Sequence, residues 1–215
     1  MKLKIFFLLV LTLLIVNSSL LITHATVRFV SKTGSSTPPY ISWETAADSI
    51  QKCINICVDG DTIIVANGIY KEALAIYPAI TLLGSSMDST VIDGTGINGL
   101  VDDKITIDAI NNIIIENFKI IGRGFIQYTI AVRSYYNDYF RIKNCKISNA
   151  ENGVVGGVTN CEFLNLIISN VVYTGIGVWT LPEPIDTFLY DNNIISLISS
   201  DGNAIAEAGE GIHLI

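Results

Sequence analysis

The chain has 215 residues, half of them hydrophobic, with a mean hydropathy of +0.49 and a formal net charge of −7. An acidic surface repels phosphate backbones, which argues against nucleic acid as a partner. No Cys-x-x-Cys or Cys/His cluster is formed by the four cysteines and two histidines, so no metal centre is expected.

At the N-terminus Lys2 and Lys4 precede an apolar run from Ile5 to Val16, followed by Asn17-Ser18-Ser19 and Thr23-His24-Ala25. This is the charged, apolar, small-residue order of a secretory signal peptide, with cleavage expected near Ala25. The run covers 12 residues, short of the roughly 20 that span a membrane, and no later stretch is longer. Residues 1–25 therefore read as a signal. Residues 26–215 read as one domain, secreted or displayed at the cell surface, with no membrane span once the signal is removed. Taking Lys2 and Lys4 from the 13 basic residues moves the net charge to about −9.

The first predicted element of the domain is a helix beginning at Trp43, capped by Ser42, with Glu44 in its first turn. Ala46, Ala47, Ile50, Cys53, Ile54 and Cys57 recur at helical spacing, and this apolar stripe is expected to cover the open end of whatever follows. Cys53 and Cys57 share a helix face, but β-carbons so placed stand about 5–6 Å apart, further than the roughly 3.5–4.5 Å of a bridge. Cys145 and Cys161 fall at opposite ends of neighbouring strands. All four are expected to be free, packed thiols.

Beyond the helix one pattern recurs along the chain. Ile63-x-Val65-x-Asn67, Ile113-x-Ile115-x-Asn117, Phe140-x-Ile142-x-Asn144, Cys161-x-Phe163-x-Asn165 and Phe188-x-Tyr190-x-Asn192 share it, and Ile80-x-Leu82-x-Gly84 carries glycine in the fifth place. Alternating apolar residues form a strand with one buried face, and Asn or Gly most readily enters the left-handed conformation of a sharp turn. Intervals of 17 to 33 residues match single coils of a solenoid with loops of varying length. Stacking would bring Asn67, Gly84, Asn117, Asn144, Asn165 and Asn192 into one column about 4.8 Å apart. A second series, Leu74-x-Ile76, Ile105-x-Ile107, Ile130-x-Val132, Ile176-x-Val178 and Ile212-x-Leu214, and a third of patches such as Val91-Ile92 and Ile120-Ile121, supply two further strands per coil. The last coil opens at "GEGIHLI" and stops, so the domain reads as incomplete at its C-terminus.

"VRFVSKTGSSTPPYISWETAADSIQKCI", "GDTIIVANGIYKE", "ITLLGSSMDSTVIDG" and "ITIDAINNIIIENFKIIG" resemble the opening of right-handed parallel β-helix proteins of the pectin-lyase-like superfamily. The resemblance covers nearly all of 26–215 and implies an all-β, three-sheet solenoid with an N-terminal capping α-helix. It does not imply one activity, because the same fold carries lyases, hydrolases, esterases and adhesins.

The catalytic motifs of such proteins are incomplete here. Arg141-Ile142-Lys143 is similar to the Arg-Ile-Lys of polygalacturonases, but no Asn-Thr-Asp motif accompanies Asp102-Asp103 and the lone histidine after the signal is His213. Ile142 occupies an apolar place of the repeat, so the triplet reads as a rung. Gly68-x-Tyr70-x-Glu72 is similar to the first signature of pectin methylesterases, whose later motifs are absent. Pectate-lyase chemistry would need a calcium-binding acid cluster beside an arginine. Asp108 and Arg133 fall at matching places of consecutive coils, and a surface ion pair explains them equally well.

The richest connections, "RSYYNDY" and "WTLPEPID", are expected two coils apart on one side of the stack. Tyr135, Tyr136 and Trp179 can stack on sugar faces, while Asp138, Glu183 and Asp186 accept hydroxyl hydrogens or bind calcium, for which no motif is present. Carboxylates about 6.5–9.5 Å apart would also suit inverting glycoside hydrolysis. Two readings follow: a β-helix that binds or processes polysaccharide, as a lyase or hydrolase if an enzyme, and a non-enzymatic, adhesin-like surface repeat. The catalytic residues and the oligomeric state are not legible.

Overall fold

The computed structural model describes residues 25–97, 103–108, 112–124, 130–137, 139–158, 160–179, 187–197 and 210–214. The chain winds as a right-handed parallel β-helix. Strand β1 (Val27–Val30) leads into helix α1 (Ile50–Ile54), and coils of strands follow. The first comprises β2 (Thr62–Val65), β3 (Gly68–Tyr70) and β4 (Leu74–Ile76). The second comprises β5 (Thr81–Gly84), β6 (Thr90–Asp93) and β7 (Asp103–Asp108), and the third β8 (Ile113–Glu116), β9 (Lys119–Ile121) and β10 (Ile130–Asn137). In the next two coils the second and third strands run together, giving β11 (Phe140–Lys143) with β12 (Lys146–Val158), then β13 (Asn160–Leu164) with β14 (Ile167–Trp179). β15 (Thr187–Asp191), β16 (Ile194–Leu197) and β17 (Glu210–Leu214) form the last described coil.

Every pairing between named strands is parallel. One sheet has the order β1-β2-β5-β8-β11-β13-β15. The other two faces are joined through β12, whose start pairs with β9 and whose end pairs with β10, with a register shift between Ala150 and Asn152 where it bends.

Side chains of like kind stack inside the coils. Ile63, Leu82, Ile115, Ile142 and Phe163 form one buried file, and Tyr70, Ile92, Ile120, Ile147 and Ile168 a second. Each such burial contributes about 1.5–3 kcal/mol relative to exposure. Along the third face the strand register runs Leu74, Ile105, Val132, Val154 and Ile176. Here the register departs from the sequence alignment: Val132, not Ile130, is opposite Ile105, and Val154 supplies a rung the pattern missed. The glycines around Val154, Gly153, Gly156 and Gly157, hide the alternation on which the pattern depends.

The N-terminal end is closed differently from the expected long helix. Ser42 and Thr45 form a turn, with the Thr45 N–H donating to Ser42 Oγ at 3.3 Å, and Ala47 bridges Val30 like a strand. The Ala47 N–H donates to Phe29 O at 2.9 Å and Ser31 N–H to Ala47 O at 2.8 Å. Ala47 thus pairs with the free edge of β1, the carbonyls of Glu44, Thr45 and Ala46 accept from the N–H groups of Ser35, Thr37 and Ser36, and Trp43 packs on Phe29 with ring centroids 4.6 Å apart. The helix begins only at Ile50, behind Ser49 as N-cap. Its Gln51 amide hydrogen-bonds both backbone groups of Ala75, at 2.8 and 3.1 Å, and so protects the edge strand β4.

Below this cap Asp61 is fully buried. Its carboxylate accepts from the Thr26 N–H (2.7 Å), the Val58 N–H (3.1 Å) and Arg28 Nε (2.9 Å). Burial pushes its pKa up, and those donors outweigh burial and hold it below the ordinary 3.8.

Candidate functional site

The corner between the first sheet and the next is built from asparagine. Asn117, Asn144, Asn165 and Asn192 have φ of 64°, 51°, 52° and 51°, the left-handed region that a sharp turn needs. Asn165 Nδ2 donates to Asn144 Oδ1 at 2.9 Å, Asn144 Nδ2 to Glu116 Oε1 at 3.0 Å, and Asn192 Nδ2 to Asn165 Oδ1. Strand registers put Gly84 in the same file. Its φ is not left-handed, however, and its role is close approach: a β-carbon there would lie 2.1 Å from Asn117 O.

Asn67 is outside this file. Val65 is the partner of Gly84, so Asn67 lies two residues further along, where its Oδ1 accepts from Thr90 Oγ1 at 3.1 Å. A shorter second file went unread in the sequence. Asn149 and Asn170 have φ of 63° and 55°, and Asn149 Nδ2 donates to Gly122 O at 3.2 Å. Its signal was available, because Gly122, Asn149 and Asn170 each follow a residue of the first file by five places.

A groove of about 490 Å³ runs along the first file, between Met87 and the side chains of Ile167 and Ile194. Asn165 and Asn192 are exposed in its floor. Lys146 pairs with Asp88 beside it, and Lys143 Nζ lies 3.0 Å from Glu116 Oε2.

The motif fragments have structural employment. Ile142 is buried while Arg141 turns outward to Glu162 at 3.0 Å, as a rung requires. Tyr70 is buried and its hydroxyl donates to Ala66 O at 3.0 Å, with the Lys32 ammonium 4.4 Å from its ring. Glu72 accepts from Ser49 Oγ (2.7 Å) and from the Ile50 and Gln51 N–H groups (both 2.9 Å), satisfying the first donors of α1. These residues hold the cap to the first coil.

The aromatic positions are distributed along strands instead of loops. Tyr135 and Tyr136 belong to the end of β10 and Trp179 ends β14, with β12 between them. Ser134 is opposite Gly156, and Gly157 is opposite Trp179, so the two chain segments reach the same end of one sheet. Two strand spacings separate them, about 10 Å. Asp108 is opposite Tyr135, whereas Arg133 is opposite Thr106 and Val155, so the presumed matching of Asp108 with Arg133 is two residues out of step. Asp138, Glu183 and Asp186 lie outside the described residues. Among the described residues no group of three or more His, Cys, Asp or Glu is arranged to hold a metal ion.

No protein-family model and no curated protein matches this sequence. Solved structures do. A pectin methylesterase point mutant crystallised with a hexasaccharide is 17% identical, with a TM-score of 0.56, over 74% of this chain and 54% of that one. The pectin methylesterase of Erwinia chrysanthemi is 13% identical, with a TM-score of 0.45, over 74% of this chain and 56% of that one. What is shared is the fold. The chain spans about half the length of these enzymes.

Proposed function

We propose that this β-helix is an exported or cell-surface protein that binds or processes polysaccharide, using the sheet end formed by β10, β12 and β14. The observation that carries the reading is the convergence of the Tyr135-Tyr136 segment and Trp179 two strands apart on one rigid sheet. Support comes from the similar solved structure, an enzyme of the same fold crystallised with a hexasaccharide. Aromatic residues suit the apolar faces of sugars, and carboxylates suit their hydroxyls or a bridging calcium. Asp138, Glu183 and Asp186 are the acids the sequence supplies beside them. Where the protein is an enzyme, the chemistry is that of a polysaccharide lyase or glycoside hydrolase acting at this face.

Calorimetry with acidic oligosaccharides, with and without calcium, tests the reading. Binding is expected, and Trp179→Ala should weaken it about tenfold or more, the loss typical of a buried aromatic anchor. Equal affinity in the variant overturns the site. No binding of any polymer in the panel favours the adhesin-like spacer instead.

A further inference from the structure

Two of the four cysteines are placed for chemistry the proposed sugar surface does not use. Cys53 is buried in α1 against the first coil, and Cys57 is partly exposed just beyond the helix. The Cys57 thiol lies 3.2 Å from Cys53 O. Interaction with the Cys53 thiol is the largest influence lowering the pKa of Cys57, burial opposes it, and the Arg28 guanidinium adds to it. The same interaction, followed by burial, pushes Cys53 up. Arg28 and Asp61 are the charged groups facing the pair.

We propose that Cys53 and Cys57 are a thiol–disulfide couple, with Cys57 attacking a small-molecule disulfide and Cys53 resolving the product into an intramolecular bridge. The spacing argument against a bridge treats both residues as helical. The structure removes that assumption, because α1 ends at Ile54 with Asn55 as its C-cap. The segment that must move to bring the sulfurs together is held by the N–H bonds of Asn55 to Gln51 O (3.0 Å), Ile56 to Cys53 O (3.2 Å) and Cys57 to Ile54 O (3.0 Å).

The reaction balances as two exchanges. The Cys57 thiolate forms a bond to one sulfur of the oxidant and expels the other as a thiolate. Cys53 then gives its proton to water, attacks Cys57 Sγ, and expels the second thiolate. The protein loses two hydrogens and the oxidant becomes two thiols. An attacking thiol that is accessible and low in pKa, beside a buried resolving partner, is the arrangement such exchange needs. Cys145 and Cys161 are buried, each with its pKa pushed up to about 12, chiefly by burial, and they serve as internal controls.

The test is incubation of the whole chain with glutathione disulfide, followed by thiol counting after denaturation and by intact mass. The expected result is loss of two of the four thiols, no retained glutathione, and a bridged peptide joining Cys53 to Cys57. Cys53→Ser should stop at one glutathione on Cys57, and Cys57→Ser should leave Cys53 unmodified. A stable glutathione adduct on the unaltered protein, a dimer joined through Cys57, or four surviving thiols each overturns the proposal. These readouts do not involve polysaccharide, so they succeed or fail independently of the sugar-binding reading.

Discussion

Asp61→Ala is expected to destabilise the protein by about 3–5 kcal/mol, the usual cost of removing one partner of a buried ion pair. Arg28 would lose its carboxylate partner while keeping the Pro39 O contact at 2.8 Å, and the Thr26 and Val58 N–H groups would lose their acceptor. For a chain of this length the loss corresponds to a fall of about 6–20 °C in Tm. Because solenoid coils depend on their nearest neighbours, hydrogen exchange should accelerate first in β1 and β2. The pH dependence follows from the sign of the shift. The folded pKa lies below the ordinary 3.8, so the contribution is complete above about pH 4 and is lost as pH falls through the folded value. Urea unfolding of the original protein and the variant at pH 7 and pH 3 should therefore show a smaller difference at the lower pH. An equal difference at both would remove the ion pair from the explanation.

Gly84→Ala is the second large effect expected, about 1–3 kcal/mol, or about 2–12 °C in Tm. The added methyl would lie 2.1 Å from Asn117 O, a backbone atom that moves only if β5 and β8 part. A β-carbon added at Gly122 would likewise lie 2.4 Å from Asn149 O. An exposed control such as Ser89→Ala should stay within about 0.5 kcal/mol. If Gly84→Ala unfolds with the midpoint of the control, the close stacking of these two rungs is not as described.

Much of the winding was legible because it rests on local rules. Alternation at Ile63, Val65, Leu82, Ile115 and Ile142 marks the buried face, and an Asn after the strand marks the corner. Position between coils was harder to read. Asn67 carries the right letter in the right local pattern, yet the pairing of Val65 with Gly84 leaves it two residues past the file. Nothing within a single coil encodes that register. The helix shows the same limit, since its apolar stripe is real from Ile50 to Ile54, but upstream backbone groups pair with β1 instead. Tyr135 and Tyr136 read as a loop because their polar and aromatic neighbours lack alternation, while pairing with flanking strands keeps them extended.

The single-file corner positions every coil, and with them the ends of β10 and β14, so it is the feature to test. A crystal structure of the chain does this most directly. Gly84, Asn117, Asn144, Asn165 and Asn192 should lie in line at about one strand spacing, 4.8 Å, with left-handed φ at all four asparagines and Val65 beside Gly84. A file broken between any two of these residues, or one continued by Asn67 in place of Val65, would contradict the stacking and the sugar-facing surface built on it.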